Sequence, residues 1–431
     1  MKFEYSQLIE DVQKKAVISV RSVRDIKLLK EDIESVTGLT ISYNTLRRLF
    51  GFLERTTPSL ITLNILSQYL GFKSYANYLN NKSNFDDWYF YQKLLHMQTS
   101  GNISAEDVKL LNIGLLNTLN IAPIASFIGS VVERYDVKSL SVIFSGLALD
   151  KVPEGPQMKL GTILSHAFLR ISRETALALY KELLPIGSFR NMVPLTYIDY
   201  SNLNTLYGDV VILIRALNSN VSDVFFTNLI LEYRHFFNGS GFQNKEIQLP
   251  KNSNSLHHAL LGRYYGYKIM ASETRDPVLL KEILRQCKQR NMTHFSQELF
   301  LALILKNEMN TLATILDLYY EELLESDRWN AKTTTAIALI SLANLNLYTN
   351  DLAPARRNLE IVELEKVEMS YHNYLSLFYH FTYLKISFTE NNSKDNASSL
   401  EELNKLITLT GFKYFKKISI PYILNSSSTK R

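Results

Sequence analysis

Residues 25–79 read DIKLLKEDIESVTGLTISYNTLRRLFGFLERTTPSLITLNILSQYLGFKSYANYL. Ile26, Leu29, Ile33 and Val36 recur at the three-to-four-residue interval that lines one face of a helix. Gly38 follows as a terminator, able to take the left-handed backbone that ends helices. Ser42 is a suitable N-cap for a second helix. Within it Leu46, Leu49 and Phe50 are core-spaced, while Tyr43, Asn44, Arg47 and Arg48 point elsewhere. Gly51 closes it. The pair Thr57-Pro58 predicts the start of a third helix, with Pro58 at the first position, where a missing N–H costs no hydrogen bond. Leu60, Leu63, Leu66 and Leu70 supply its apolar face, Gly71 ends it and Ser74 caps a last short helix.

The same helical spacing continues beyond this stretch, and strand-like alternation is rare. From about residue 105 the chain reads as successive helix pairs. The clearest is TTTAIALISLANLNLYTNDLAPARRNLEIVE, residues 333–363. Ile337, Ile340 and Leu347 lie near one face of its first helix. A Thr-Asn-Asp turn follows, and the second helix opens near Leu352, with Pro354 tolerated in the first turn. The small residues Ala343 and Ala355, on either side of the turn, let two antiparallel helices approach closely. A looser pair spans 161–185, with Ala176 and Tyr180 on its second helix, and another runs from Tyr371 into SSLEELNKLITLTGF. Polar clusters at 80–84, 99–104, 151–156, 238–255 and 389–399 mark the connections. The expected class is all-α: a small bundle over residues 1–82, then an α-solenoid of helical hairpins over 83–431.

Composition agrees. Of 431 residues only 16 are Gly and 10 Pro, too few for the many turns of an all-β chain. Hydrophobic content of 46% against 21% charged is that of a folded globular protein. The single cysteine, Cys287, rules out an internal disulfide framework and fits a reducing compartment. MKFEYSQLIEDVQKK lacks the apolar core of a signal peptide, and no run approaches the ~20 apolar residues of a membrane span. These features predict a cytoplasmic protein without a membrane partner. Residues 1–82 hold twelve Lys/Arg against eight Asp/Glu, a net of +4; the whole chain carries +5, so the other 349 residues carry only +1. Such asymmetry suggests a polyanionic partner for the first part.

The ordered set Gly38, Ile41, Ser42, Thr45, Leu46, Arg48, Gly51, Pro58, Ser59, Thr62, Leu63, Leu70 and Gly71 resembles the lambda-repressor/Cro type of helix-turn-helix domain. The turn GLTIS is longer than that family's, and Phe50 stands where an acidic residue is common. The resemblance implies that the helix from Ser42 to Phe50 enters the major groove of double-stranded DNA. It implies Tyr43, Asn44 and Arg47 as base readers, since Asn pairs with adenine and Arg with guanine. Ser42, Thr45, Arg48 and Arg55 would grip phosphates. The 333–363 hairpin resembles a tetratricopeptide repeat, with Ala343, Leu342, Ala355 and Leu359 at its positions. The layout is similar to peptide-responsive regulators that couple a repressor-type head to such repeats. It implies a transcriptional regulator whose array binds a protein or peptide partner or pairs two copies. The other reading is an interaction scaffold whose first bundle caps the solenoid and touches no DNA.

No enzyme is expected, since no phosphate loop, nucleophile elbow or HExxH is present. No cofactor or metal is expected either. His257-His258 and His235 lack a cysteine or carboxylate at ligand spacing. Cys287, in ILRQCKQR, reads as a small packing residue. Asp86-Asp87 and Glu321-Glu322 read as solvated faces. The tyrosines at 264, 265, 267, 319, 320, 371 and 374 are candidates to line a groove.

Overall fold

A computed structural model describes residues 5–54, 56–82, 85–196, 198–217, 220–243, 246–251, 256–289, 292–324, 331–390 and 392–419. Among these residues the chain is all-helical, with no strand. It divides into two compact units, Met1–Lys93 and Leu94–Arg431.

The first unit begins with α1 (Ser6–Ala16), α2 (Val23–Thr37), α3 (Tyr43–Leu49), α4 (Leu60–Tyr69) and α5 (Tyr75–Lys82); the unit boundary falls inside α6 (Phe85–Ser100). Ile26, Leu29, Ile33, Leu46, Leu49, Leu63 and Leu66 share one core, as their spacing predicts. A capping box starts α2: the Asp25 carboxylate accepts the Ser22 N–H at 2.7 Å, and the Ser22 hydroxyl accepts the Asp25 N–H at 3.4 Å. Gly38 ends α2 at φ +69°. The GLTIS turn is held by Glu34, whose carboxylate accepts the Ile41 N–H at 3.0 Å. The tyrosines tie the bundle together: Tyr69 donates to Asp32, and Tyr78 donates to Asp11 at 2.7 Å.

Three local expectations need correction. Ser42 stands at the N-cap of α3, yet its side chain makes no cap hydrogen bond. The third helix starts after Ser59, whose hydroxyl accepts the Thr62 N–H at 3.3 Å, so Pro58 precedes the cap instead of opening the helix. Val36 and Leu60, at helix ends, stay 52% and 64% exposed, because the core does not extend to those turns.

The second unit continues with α7 (Ala105–Leu115), α8 (Ile121–Glu133), α9 (Val137–Gly146), α10 (Glu154–Leu169), α11 (Arg173–Leu183) and α12 (Gly187–Arg190). A π turn at Asn191–Leu195 contains Pro194, and a tight turn follows at Tyr200–Asn202. Then come α13 (Leu206–Leu217), α14 (Val221–Phe237), α15 (His258–Ala271), α16 (Pro277–Cys287), α17 (Met292–Leu305) and α18 (Met309–Leu324). The last four are α19 (Ala331–Tyr348), α20 (Leu352–Glu360), α21 (Met369–Thr389) and α22 (Ser393–Thr410). The hairpin predicted at 333–363 is α19 and α20, which pack together with Ala343 and Ala355 fully buried. Ala176 and Tyr180 are buried on α11. The polar stretch 389–399 is only partly a connection: α22 begins within it, with the Asn392 side chain accepting the Asp395 N–H at 3.3 Å.

Packing is sequential in part, as α17 meets α18 and α19, and α21 meets α22. It also closes over long range. The Ser201 hydroxyl donates to the Met369 carbonyl at 3.0 Å, and the Asn204 amide donates to the Thr410 carbonyl at 2.8 Å. Phe237 of α14 stacks on Phe412, ring centroids 4.8 Å apart. Residues 410–412 therefore return to the segment spanning 204–237. No single helix among the described residues is long and apolar enough to cross a membrane.

A close crossing joins α15 and α17. A Cβ at Gly262 would lie 2.2 Å from the Phe295 carbonyl oxygen, a backbone atom that has no rotamer with which to yield. Gly262→Ala is expected to destabilise the chain by about 1–3 kcal/mol, the usual cost of overpacking, measured by urea unfolding; unchanged stability would show that the crossing relaxes freely.

Candidate functional site

On α3 the inward positions Leu46 and Leu49 are buried, which orients the rest of the helix. Ser42, Asn44 and Arg48 are exposed, and Tyr43, Thr45 and Arg47 are half-buried. Arg55 lies outside the described residues. Tyr43 is held internally: its hydroxyl donates to the Val23 carbonyl of α2 at 3.2 Å. Its ring also carries the Arg47 guanidinium, 5.8 Å from the ring centroid, the i,i+4 neighbour on the same face. Arg47 Nε is buried with no hydrogen-bond partner among the described residues. The Tyr43–Val23 bond brings the start of α3 to the start of α2, where Arg21, Arg24 and Lys27 are exposed. Sequence reading saw those three cations only as part of a net charge, because the signal that gathers them is tertiary.

The second unit holds a cavity of about 420 Å³. Met158, Leu195, Ile198, Phe226 and Leu260 give it apolar walls, and Arg263, Glu298 and Tyr371 are polar lining residues. Arg263 and Glu298 form a buried ion pair. Arg263 Nε also donates to the Tyr200 hydroxyl at 2.6 Å; that hydroxyl donates to Glu298 Oε2 at 2.6 Å, and Tyr371 donates to Glu298 Oε1. Tyr233 donates to the Arg263 carbonyl at 2.8 Å. Burial keeps the Tyr200 and Tyr371 hydroxyls protonated well above the ordinary phenol range, so they serve as donors. Of the candidate groove tyrosines, Tyr371 lines this cavity, whereas Tyr264, Tyr265, Tyr267 and Tyr374 are packed into the core. Tyr319 and Tyr320 border a separate open groove beside Leu342 and Leu345.

At the same cavity Glu154, His257 and His294 converge, one ligand-type atom from each lying within 4.8 Å of the others. His257 Nε2 is 3.2 Å from Glu154 Oε1, and the two imidazole rings are 5.1 Å apart. His257 Nδ1 accepts the Ala259 N–H at 3.2 Å at the start of α15. The sequence places no carboxylate near His257; the fold supplies one from 103 residues away. Cys287 is buried, and burial pushes its thiol up to about 12, the setting of an inert packing residue.

Comparison with profiles of known protein families, with curated proteins and with solved structures finds no match.

Beside the Tyr200 turn, burial raises the Asp199 carboxyl from 3.8 to about 7, against the opposing pull of two hydrogen bonds from Asn202. The folded chain holds this proton more tightly than the unfolded chain. Its stabilisation is complete below the ordinary carboxylate range and is lost as pH rises through about 7. Urea unfolding at a series of pH values is expected to show wild-type stability falling between about 4 and 7 relative to Asp199→Asn, then running parallel to it. Identical profiles would place the Asp199 proton elsewhere.

Proposed function

We propose that this chain is a DNA-binding regulator whose first unit binds duplex DNA through α3 and whose second unit, an α-solenoid-like array, responds to a ligand or partner. The observation that carries the reading is how α3 is partitioned. Leu46 and Leu49 fix one face in the core, leaving Asn44 and Arg48 in solvent beside an Arg47 whose Nε has no internal acceptor. The half-exposed Arg47 guanidinium lies over the Tyr43 ring, and its planar fork of donors suits a base edge or a phosphate oxygen. The resemblance to repressor-type heads assigns the same helix to the major groove.

Roles follow from exposure. Asn44 and Arg47 are proposed as base readers. Ser42, Thr45 and Arg48, with Arg21, Arg24 and Lys27, are proposed as phosphate contacts. Tyr43 acts by positioning Arg47, since its hydroxyl is engaged by α2. Arg55 keeps its expected phosphate role from the sequence alone. The cavity in the second unit, apolar-walled with a few convergent polar groups, has the character of a small-ligand site, and two copies of the chain would place two reading helices on one operator.

Fluorescence anisotropy of the full chain with random duplex DNA at two salt concentrations tests this. Binding is expected to weaken steeply with salt, because each neutralised phosphate releases a counterion. Arg48→Ala should lower the salt slope by about one phosphate equivalent, and Arg47→Ala/Arg48→Ala should remove most binding. Equal binding by wild type and the double variant would overturn the assignment of α3 and favour a scaffold in which this bundle caps the array.

A further inference from the structure

We propose that Glu154, His257 and His294 form a site for one divalent transition-metal ion, with an open coordination position facing the cavity of the second unit. The proposal stands apart from the DNA reading and survives or fails separately from it. The three residues come from three segments: the first turn of α10, the residue preceding α15 and the start of α17. Among the described residues they are the group of His, Cys, Asp or Glu side chains near enough to share an ion.

The geometry suits a small ion. Metal–nitrogen and metal–oxygen bonds of about 2.0–2.2 Å set tetrahedral donor separations near 3.3 Å. The Glu154–His257 separation is already 3.2 Å. His294 has to close from within 4.8 Å, and Glu154 and His257 are exposed side chains. Two imidazoles and one carboxylate are donors for zinc, cobalt, nickel or iron(II), whereas calcium and magnesium call for all-oxygen sets. Three protein ligands leave a fourth position, and all three residues line the cavity, so a bound ion would present that position to whatever occupies it.

Loading has a built-in consequence. In the metal-free chain His257 Nδ1 accepts the Ala259 N–H, so Nε2 carries the ring proton and donates it to Glu154. A metal bound through Nε2 replaces the proton there, and the neutral ring then carries its proton on Nδ1. The Ala259 N–H then loses its acceptor at the start of α15, the helix that carries Arg263 of the buried ion pair. Metal occupancy is thereby coupled to the first turn of a helix that lines the cavity.

The test uses the full chain, stripped with chelator and dialysed against equimolar Zn²⁺, with Co²⁺ titrated in parallel and its visible absorption recorded. The expected result is one ion per chain, a cobalt spectrum of four- or five-coordinate type, and no displacement by excess Mg²⁺. His257→Ala, His294→Ala and Glu154→Gln should each weaken binding by at least about ten-fold with unchanged far-ultraviolet circular dichroism. Absence of a retained ion, or equal retention and an equal cobalt spectrum in His257→Ala/His294→Ala, would overturn the site and leave Glu154–His257 as a plain hydrogen-bonded pair.

Discussion

The second unit is organised around one buried charge pair. Arg263 and Glu298 are both shut away from water, and removing ions from water is tolerated only when each finds a counter-charge and further hydrogen bonds. Tyr200 and Tyr371 supply those bonds. Four segments far apart in the chain must therefore meet at one point, and this requirement pulls α21 back onto the Tyr200 turn. A strictly nearest-neighbour solenoid has no such closure. The cavity is a product of the same constraint: the pair and Tyr371 form part of its lining, and the aliphatic and aromatic residues of the surrounding helices supply its apolar walls.

The first unit obeys a simpler rule. Its helices are short, so few residues can be buried, and every buried leucine on α3 determines which polar residues remain outside. Tyr43 belongs to both sides of that division. Its hydroxyl is anchored to α2 and its ring supports Arg47, so the arginine is presented from a fixed platform. A guanidinium arranged in this way loses less conformational freedom when it meets an acceptor.

Much of the architecture was legible in the sequence, for local reasons. Helical periodicity located α2, α3, α4, α19 and α20, and Gly38, Gly51 and Gly71 do take positive φ where helices were expected to end. Ala343 and Ala355 are buried because only small side chains suit a close helix pair. The misplaced details were competitions between neighbours, as where Ser59 rather than Pro58 sets the start of α4. The Arg263–Glu298 pair and the Glu154–His257–His294 group were illegible for a different reason. Each joins residues from segments far apart in the chain, and no short-range pattern encodes which distant segment will face them.

Hydrogen–deuterium exchange of the full chain, with and without duplex DNA at low salt, tests the central claim most directly. The account predicts slowed exchange over residues 42–52 and at the start of α2, where the exposed cations gather, as the bound duplex shields and rigidifies that face. DNA binding that leaves α3 unprotected, or that protects only residues beyond 94, would contradict it.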